Sequence, residues 1–322
     1  MKRVRLLDFL TALGNSTENN LRELESCLAQ SISEDSFIKE ICAPLIVGGK
    51  RLRPLLFFLC SGAAAPAKKI PLATALELIH TASLVHDDIL DCAKKRRGVA
   101  TINAMYGAQI AVLVGDYLFA KAFQLVAEGD YGSRVSEILS RLVKNLCVGE
   151  IMQDRALFTV PTLSEYYTRI NLKTAFFLST CCRLGGIVAE TDDTETENLA
   201  AYGENLGLAF QIVDDLLDFF GDENLTGKIL GGDLKSGVIT LPVIRALNQS
   251  SDAETLKKII AKRNVSCADV QTAIKIISET DAAAYCKTRA EAHIDCALIN
   301  LSDYPVKFAL EQIASFVINR NR

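Results

Sequence analysis

Two aspartate-rich motifs constrain this chain more than any other feature of its sequence. They read DDILD at residues 87–91 and DDLLD at residues 214–218. The first motif follows residues 72–85, and the second lies within residues 206–220. Each of these segments would be apolar on nearly every side of a helix, and such helices are normally buried. Carboxylates at the end of a buried helix are costly unless something neutralises them. The sequence therefore predicts two buried helices that bring carboxylates to a cation or to water.

The spacing within each motif indicates which carboxylates act together. Asp87 and Asp91 are four residues apart, as are Asp214 and Asp218, so each pair projects from one face of a helix. Two carboxylates in this geometry suit Mg²⁺, which completes its shell with water and substrate phosphate oxygens. One such motif is equally well a solvated helix end with surface ion pairs. Two of them predict helices that face each other across a cavity, with metal ions between.

Composition narrows the class of protein. The 322 residues permit one large domain or two ordinary ones. They are 49% apolar, and no alternating strand pattern is present, so we expect an all-α fold. A formal charge of −4 argues against nucleic acid as a partner. Ten cysteines without a CxxC pair, and no signal peptide, predict reduced thiols and a cytoplasmic location. The charge-free run 98–115 contains polar residues and glycines, which favours a loop and a core helix over a membrane span.

Basic side chains supply candidate anion sites. The turn GGKRLRP at residues 48–54 puts Lys50, Arg51 and Arg53 beside a helix start, where backbone N–H groups also attract anions. A solvated basic turn is the alternative. His80 shares a helical face with Asp87 and is either a core histidine or a donor to phosphate. Lys173, in an apolar run, either extends to the surface or holds an anion.

In combination these motifs resemble the trans-prenyl diphosphate synthases, also called the polyprenyl synthetase family. The resemblance covers about residues 48–242 and includes, in the family's order, GGKRLRP at 48–54, DDILD at 87–91, RRG at 96–98, GE at 149–150 with Gln153, KT at 173–174, FQ at 210–211 with the second DDxxD, and GK at 227–228. It implies that residues 1–322 form a single polyprenyl synthetase domain, an isoprenoid-synthase-type helical bundle around a deep central cavity, in a homodimer. It also implies that an allylic diphosphate (dimethylallyl, geranyl or farnesyl) ionises, and that isopentenyl diphosphate adds to the cation.

The resemblance also implies a role for each motif residue. Asp87 and Asp91 would hold two Mg²⁺ ions and Asp214 a third, with Asp218 assisting through water; Mn²⁺ could substitute. The residues expected to grip the allylic diphosphate are Arg96, Lys173 and Lys228. Those expected to hold isopentenyl diphosphate are Lys50, Arg53, His80 and Arg97. Thr174 and Gln211 would face the cation. The predicted catalytic set is Asp87, Asp91, Lys173, Thr174, Gln211 and Asp214.

One departure and three alternatives bear on this interpretation. The family usually has a lysine where this chain has Val238, so the sequence does not settle which residues surround the third metal and the diphosphate. Lys235 lies three residues earlier. A class I terpene cyclase needs no cationic site such as Lys50 to Arg53, and an HD-type phosphohydrolase, suggested by His86-Asp87, does not explain the second DDxxD. A non-catalytic synthase subunit tends to lose the aspartate motifs, and both are intact here.

Product length is the finest prediction. Family members with short products tend to carry an aromatic ring four or five residues before the first DDxxD, and this chain has Ala82 and Ser83 there. The tail is expected to pass Ala82, with Phe119 or Phe123 as the floor. We therefore expect an all-trans product beyond farnesyl diphosphate, of medium or long chain as made by an octaprenyl diphosphate synthase, that serves as a quinone side chain and is passed to a membrane. A farnesyl or geranylgeranyl product is the alternative.

Overall fold

The computed structural model describes residues 15–96, 98–221, 230–299, 301, 304 and 306–320. Across these ranges the chain is almost wholly helical, which confirms the all-α prediction. The helices are α1 Asn15–Ser31, α2 Ser36–Ile46, α3 Leu52–Cys60, α4 Pro66–Leu90, α5 Ile102–Tyr106, α6 Ala108–Glu128, α7 Gly132–Arg155, α8 Leu163–Ile170, α9 Phe176–Val188, α10 Asp193–Phe220, α11 Gly232–Lys235, α12 Leu241–Gln249, α13 Ala253–Ile260, α14 Cys267–Ser278, α15 Ala282–Ile299 and α16 Lys307–Asn319. A π-helical turn, Asn171–Ala175, joins α8 to α9.

The described residues group into two compact units. The first contains those of Met1–Val143 and Thr180–Glu197, and the second those of Lys144–Ser179 and Asn198–Arg322. The first aspartate motif lies in the first unit and the second motif in the second. The single domain and the facing motif helices therefore stay predictions.

The first unit is organised around helix α4. Leu72, Leu76 and Ile79 on this helix have no exposed surface, as expected for a helix that is apolar on all sides. Helices α1, α3 and α6 pack against it. The small residues of segment 63–69 predict a linker, but the helix already begins at Pro66 within it. Proline suits the first helical position because that position needs no N–H partner. It ends at the first aspartate motif, with Asp91 as the C-cap.

A short hairpin follows the first motif in a segment expected to be a loop. Strand β1, Lys95–Arg96, pairs antiparallel with β2, Val99–Ala100. Gly98 between them has φ +84°, which a glycine adopts without a steric penalty. The hairpin folds the basic segment back beside the end of α4, where Thr101 donates a hydrogen bond to the carbonyl of Ala93.

The second unit is organised around helix α10. Ile212 and Phe219 on this helix are buried, and the Tyr202 hydroxyl donates to the carbonyl oxygen of Leu310 on α16 at 2.8 Å. The sequence offers Thr162 or Ser164 as the cap of one helix and Ser266 as the start of another. Capping boxes open α8 at Thr162 and α14 at Ser266. The helix start expected at Ser302 and Pro305 lies outside the described residues.

Helix α6 covers part of the charge-free run noted in the sequence. By length and composition alone it is the one helix among the described residues that could cross a membrane. Soluble core helices pass the same test, and the α6 residues Val114 and Leu118 are buried in the first unit. The other face exposes Val112 and Leu113.

Candidate active site

The three aspartates of the first motif have different environments. Asp88 is buried, and both of its carboxylate oxygens accept from Nε of Arg96, at 2.9 and 3.0 Å. Burial raises the pKa of Asp88, although the Arg96 charge opposes that shift. Asp87 is half-buried and Asp91 exposed, and the amide of Asp91 donates to the carbonyl of Asp87 at 2.8 Å. The outer pair is thus presented by one helical turn, while Asp88 ties the hairpin residue Arg96 to α4.

The cationic turn brings Arg53 into contact with His80 on α4. Gly48 and Gly49 have φ values of +82° and +93°, which only glycine adopts readily. Lys50 beyond them is exposed. Nη1 of Arg53 lies 3.2 Å from Nε2 of His80. Because a guanidinium can only donate, Nε2 is the acceptor in this contact. Arg53 and His80 are therefore in direct contact, and that their surface holds a phosphate stays a prediction.

Arg51 does not belong to that surface. Its side chain turns inward, with Nε 2.6 Å from Glu25 on α1 and Nη1 2.6 Å from Glu77 on α4. The sequence counted Arg51 among three cations for a phosphate, and that count was wrong because these two carboxylates neutralise it. The signal that could have found this is Glu77, an acidic residue at a position of α4 that is otherwise apolar.

The second motif contains a buried carboxylate with two donors. Asp215 is 2% exposed, and its oxygens accept from the Tyr166 hydroxyl and from Nε2 of Gln211, each at 2.8 Å. Burial raises the pKa of Asp215 to about 7, against the lowering effect of both hydrogen bonds. Burial likewise raises the pKa of Tyr166. Sequence reasoning missed Tyr166, which has no motif of its own.

Gln211 and Thr174, both predicted to face the cation, lie in direct contact. The Thr174 hydroxyl donates to Oε1 of Gln211 at 2.8 Å. A Cβ at Gly207, one turn before Gln211, would lie 2.4 Å from Cα of Ala175, so only glycine lets α10 approach the π-helical turn this closely. That turn carries Lys173 and Thr174, and π-helical turns inside helices are frequent at functional sites.

Lys173 holds an anion in this structure, one of the two alternatives raised by the sequence. Its Nζ lies 2.5 Å from Glu150 and 3.0 Å from Oε1 of Gln153. Glu150 and Gln153 therefore do face together, as their spacing predicts. The Lys173 side chain is about one-quarter exposed, and its contact with a diphosphate stays a prediction.

The carboxylates of Asp214 and Asp218 contact different protein groups. Asp214 is exposed and lies 3.4 Å from Nη2 of Arg320 near the end of the chain. The two oxygens of Asp218 accept from the backbone N–H groups of Gly232 and Asp233, at 3.2 and 3.1 Å. Asp218 therefore anchors the start of α11. Asp214 is the more accessible of the two for a metal.

The carboxylates fit a hard cation that is completed by substrate. No group of three possible protein ligands is preassembled within the described residues. A site with one or two carboxylates, water and phosphate oxygens is the arrangement that Mg²⁺ prefers and that Ca²⁺ also accepts. The pair Asp87–Asp91 in the first unit supplies such carboxylates, and the exposed Asp214 in the second unit separately supplies another.

Several predicted residues are not tested by the geometry. Arg97 and Lys228 lie outside the described residues. Lys235 is exposed on α11, and Val238 is half-buried where the family usually has lysine. Lys50 and Arg96 keep their predicted roles as predictions.

Comparison with known proteins gives the class and then the family. Residues 35–277 match the family model described as polyprenyl synthetase. The chain is 34% identical to heptaprenyl diphosphate synthase component 2 of Geobacillus stearothermophilus, over 97% of this chain and 99% of that protein. Among solved structures it resembles a decaprenyl diphosphate synthase from Rhodobacter capsulatus (33% identity, TM-score 0.90, 99% of this chain and 100% of that one). It also resembles a polyprenyl synthase from Caulobacter crescentus CB15, complexed with calcium and isoprenyl diphosphate (32% identity, TM-score 0.91, 100% of both chains).

These similarities define an all-α prenyltransferase, and hence an enzyme. The chain belongs to the polyprenyl synthetase family.

Proposed function

We propose that this chain is a polyprenyl diphosphate synthase that extends an all-trans isoprenoid beyond farnesyl diphosphate by adding isopentenyl diphosphate to an allylic diphosphate. The observation that carries the proposal is the Arg53–His80 contact, because a second cationic site distinguishes chain elongation from cyclisation of one substrate. The heptaprenyl and decaprenyl synthases to which the chain is similar support a long product.

The proposed reaction breaks the bond between C1 of the allylic substrate and its diphosphate oxygen. The double bond of isopentenyl diphosphate then supplies the electron pair for the new carbon–carbon bond, and the proton lost from isopentenyl diphosphate passes to the released diphosphate. Lys173 and Arg96 would hold the allylic diphosphate, while Lys50, Arg53 and His80 hold isopentenyl diphosphate. Oxygens of Thr174 and Gln211 would stabilise the cation. Apolar side chains would exclude water, which otherwise quenches it.

We propose Mg²⁺ as the metal, with up to three ions: two held by Asp87 and Asp91, and a third held by Asp214 with Asp218 assisting through water. When bound, the metal neutralises charge on the departing diphosphate. The calcium in the similar polyprenyl synthase structure supports a hard divalent ion. Removing divalent ions with EDTA should abolish condensation, and Mg²⁺ or Mn²⁺ should restore it; turnover after exhaustive chelation would contradict the proposal.

A homodimer is part of the proposal. Met105, Val112 and Leu113, beside and on α6, are exposed, and exposed apolar side chains in one region often mark an interface. Sedimentation of the purified chain should give twice the mass of 35.1 kDa. Leu113→Glu should shift the equilibrium toward monomer. A wild-type monomer at micromolar concentration would exclude the homodimer.

We also propose a cytoplasmic location, with the product passed to a membrane. Ten free cysteines support a reducing compartment. Cell fractionation tests the location.

Product identification tests the main proposal. The purified chain would be incubated with Mg²⁺, isopentenyl diphosphate and dimethylallyl, geranyl or farnesyl diphosphate, and the dephosphorylated products separated by chain length. Products longer than geranylgeranyl are expected. Products that stop at farnesyl or geranylgeranyl would overturn the chain length but not the reaction class. Cyclic hydrocarbons would overturn both.

A further inference from the structure

Arg51 combines two features that are rarely found together. Its backbone is left-handed, at φ +50°, which is unusual for a residue with a side chain and is common for glycine. Its charged side chain is only 8% exposed. Arg51 is the N-cap of α3, yet makes no side-chain capping hydrogen bond there. The left-handed backbone would favour glycine at this position, so the presence of arginine must be explained by what its side chain does.

The side chain connects three separate parts of the first unit. Nε and Nη2 contact both oxygens of Glu25 on α1, at 2.6 and 3.0 Å. Nη1 contacts Glu77 on α4 at 2.6 Å, and Glu77 is itself only 7% exposed. Nη2 also donates to the carbonyl oxygen of Ile46 at the end of α2. A planar guanidinium with five donors suits such a junction, whereas a lysine ammonium does not reproduce its geometry.

The two ends of this junction lie next to the two halves of the cradle. Arg51 precedes Arg53 by two residues in the cationic turn. Glu77 precedes His80 by three residues, so the two lie on neighbouring positions of α4. The Arg51–Glu77 contact therefore fixes the turn against α4 at the level where Arg53 meets His80.

We propose that Arg51 is a positioning residue for isopentenyl diphosphate: its buried contacts with Glu25 and Glu77 hold Lys50, Arg53 and His80 in one diphosphate-binding arrangement. The inference depends on the proposed role of that cradle. Arg51 itself does not touch the substrate, because its donors are directed to the two carboxylates and to Ile46. Its loss should therefore raise the Michaelis constant for isopentenyl diphosphate more than it lowers kcat or changes the allylic Michaelis constant.

Arg51→Gly provides the sharpest test. Glycine accepts the left-handed backbone better than arginine, so a purely conformational role predicts unchanged kinetics and equal or greater stability. The positioning role predicts that the Michaelis constant for isopentenyl diphosphate rises about tenfold or more, since a misplacement of about 1 Å costs up to 10²-fold. The Michaelis constant for the allylic substrate should stay within about twofold of the wild-type value.

Glu77→Gln and Glu25→Gln should raise the Michaelis constant for isopentenyl diphosphate by different amounts. Glutamine keeps the shape of glutamate but removes the charge that fixes Arg51. The buried Glu77 should matter more than Glu25, which is about half exposed. Glu190→Gly is the matched control, since Glu190 is an exposed residue with φ +58° and should show wild-type kinetics. Circular dichroism and the unfolding midpoint would be measured for each, and assays run well below the lowest midpoint.

Each outcome decides the question. Arg51→Gly with a wild-type Michaelis constant for isopentenyl diphosphate, or with both Michaelis constants and kcat changed together, overturns the positioning role. If Arg51→Gly does not fold, a selective rise for Glu25→Gln still supports the role, and no selective rise refutes it. Arg53→Ala, measured in parallel, separates the two proposals. If Arg53→Ala leaves the isopentenyl diphosphate constant unchanged, the cradle itself is wrong; if only Arg51→Gly leaves it unchanged, the positioning inference alone fails.

Discussion

The buried carboxylate of Asp215 should make the metal-free and substrate-free protein less stable as pH rises. Its pKa is about 7 in the folded chain against an ordinary value of 3.8. Between these values the folded state keeps a proton that the unfolded state has released, so the free energy of unfolding falls with increasing pH. A span of about three units, at 1.36 kcal/mol each, is about 4 kcal/mol. This loss of stability is absent below pH 4 and complete above the folded pKa of about 7.

Asp215→Asn removes this titration while keeping a side chain of the same shape for Tyr166 and Gln211. Wild type and variant would be unfolded with urea at intervals from pH 4 to pH 8, with EDTA and without substrate. The difference in unfolding free energy should change by about 4 kcal/mol in favour of the variant over this range. For a chain of 322 residues this corresponds to about 6 °C in Tm.

Asp252→Asn is the control, because Asp252 is exposed and its replacement should leave the pH profile unchanged. The reasoning is refuted if the difference between wild type and Asp215→Asn is the same at pH 4 and pH 8. It is also refuted if the difference changes in the opposite direction.

Three further results are expected. Asp87→Ala and Asp214→Ala should each lower kcat by roughly 10²–10⁴ with normal circular dichroism, the scale of losing a major electrostatic contribution; a near-normal rate for either would remove that aspartate from the metal site. Arg53→Ala should raise the Michaelis constant for isopentenyl diphosphate and leave the allylic constant nearly unchanged, and steady-state assays with each substrate varied would reveal a reversed assignment. Ala82→Tyr should shorten the product but cost about 1–3 kcal/mol of stability, because Ala82 has no exposed surface. Ser83→Tyr should cost less stability, because Ser83 is half-buried. An unchanged product length for both variants would show that the tail does not pass this part of α4.

The sequence by itself determined the all-α class, the two aspartate motifs and the family resemblance. Helical periodicity was sufficient for this because it states which residues share a face: Asp87 with Asp91, and Glu150 with Gln153. The same periodicity turns the middle aspartate of each motif about 100° away from its neighbour. The burial of Asp88 and Asp215 could thus have been anticipated from the sequence.

The tertiary structure alone decided which partners these groups meet. Tyr166 reaches Asp215 from 49 positions away, and Glu77 reaches Arg51 from 26. Such contacts depend on how far each helix is rotated about its own axis and on which helix packs beside it, and local spacing encodes neither. The left-handed backbone of Arg51 shows this most clearly. In the sequence it is one of three equivalent cations, but the fold turns its side chain inward to two carboxylates, whereas Lys50 is exposed.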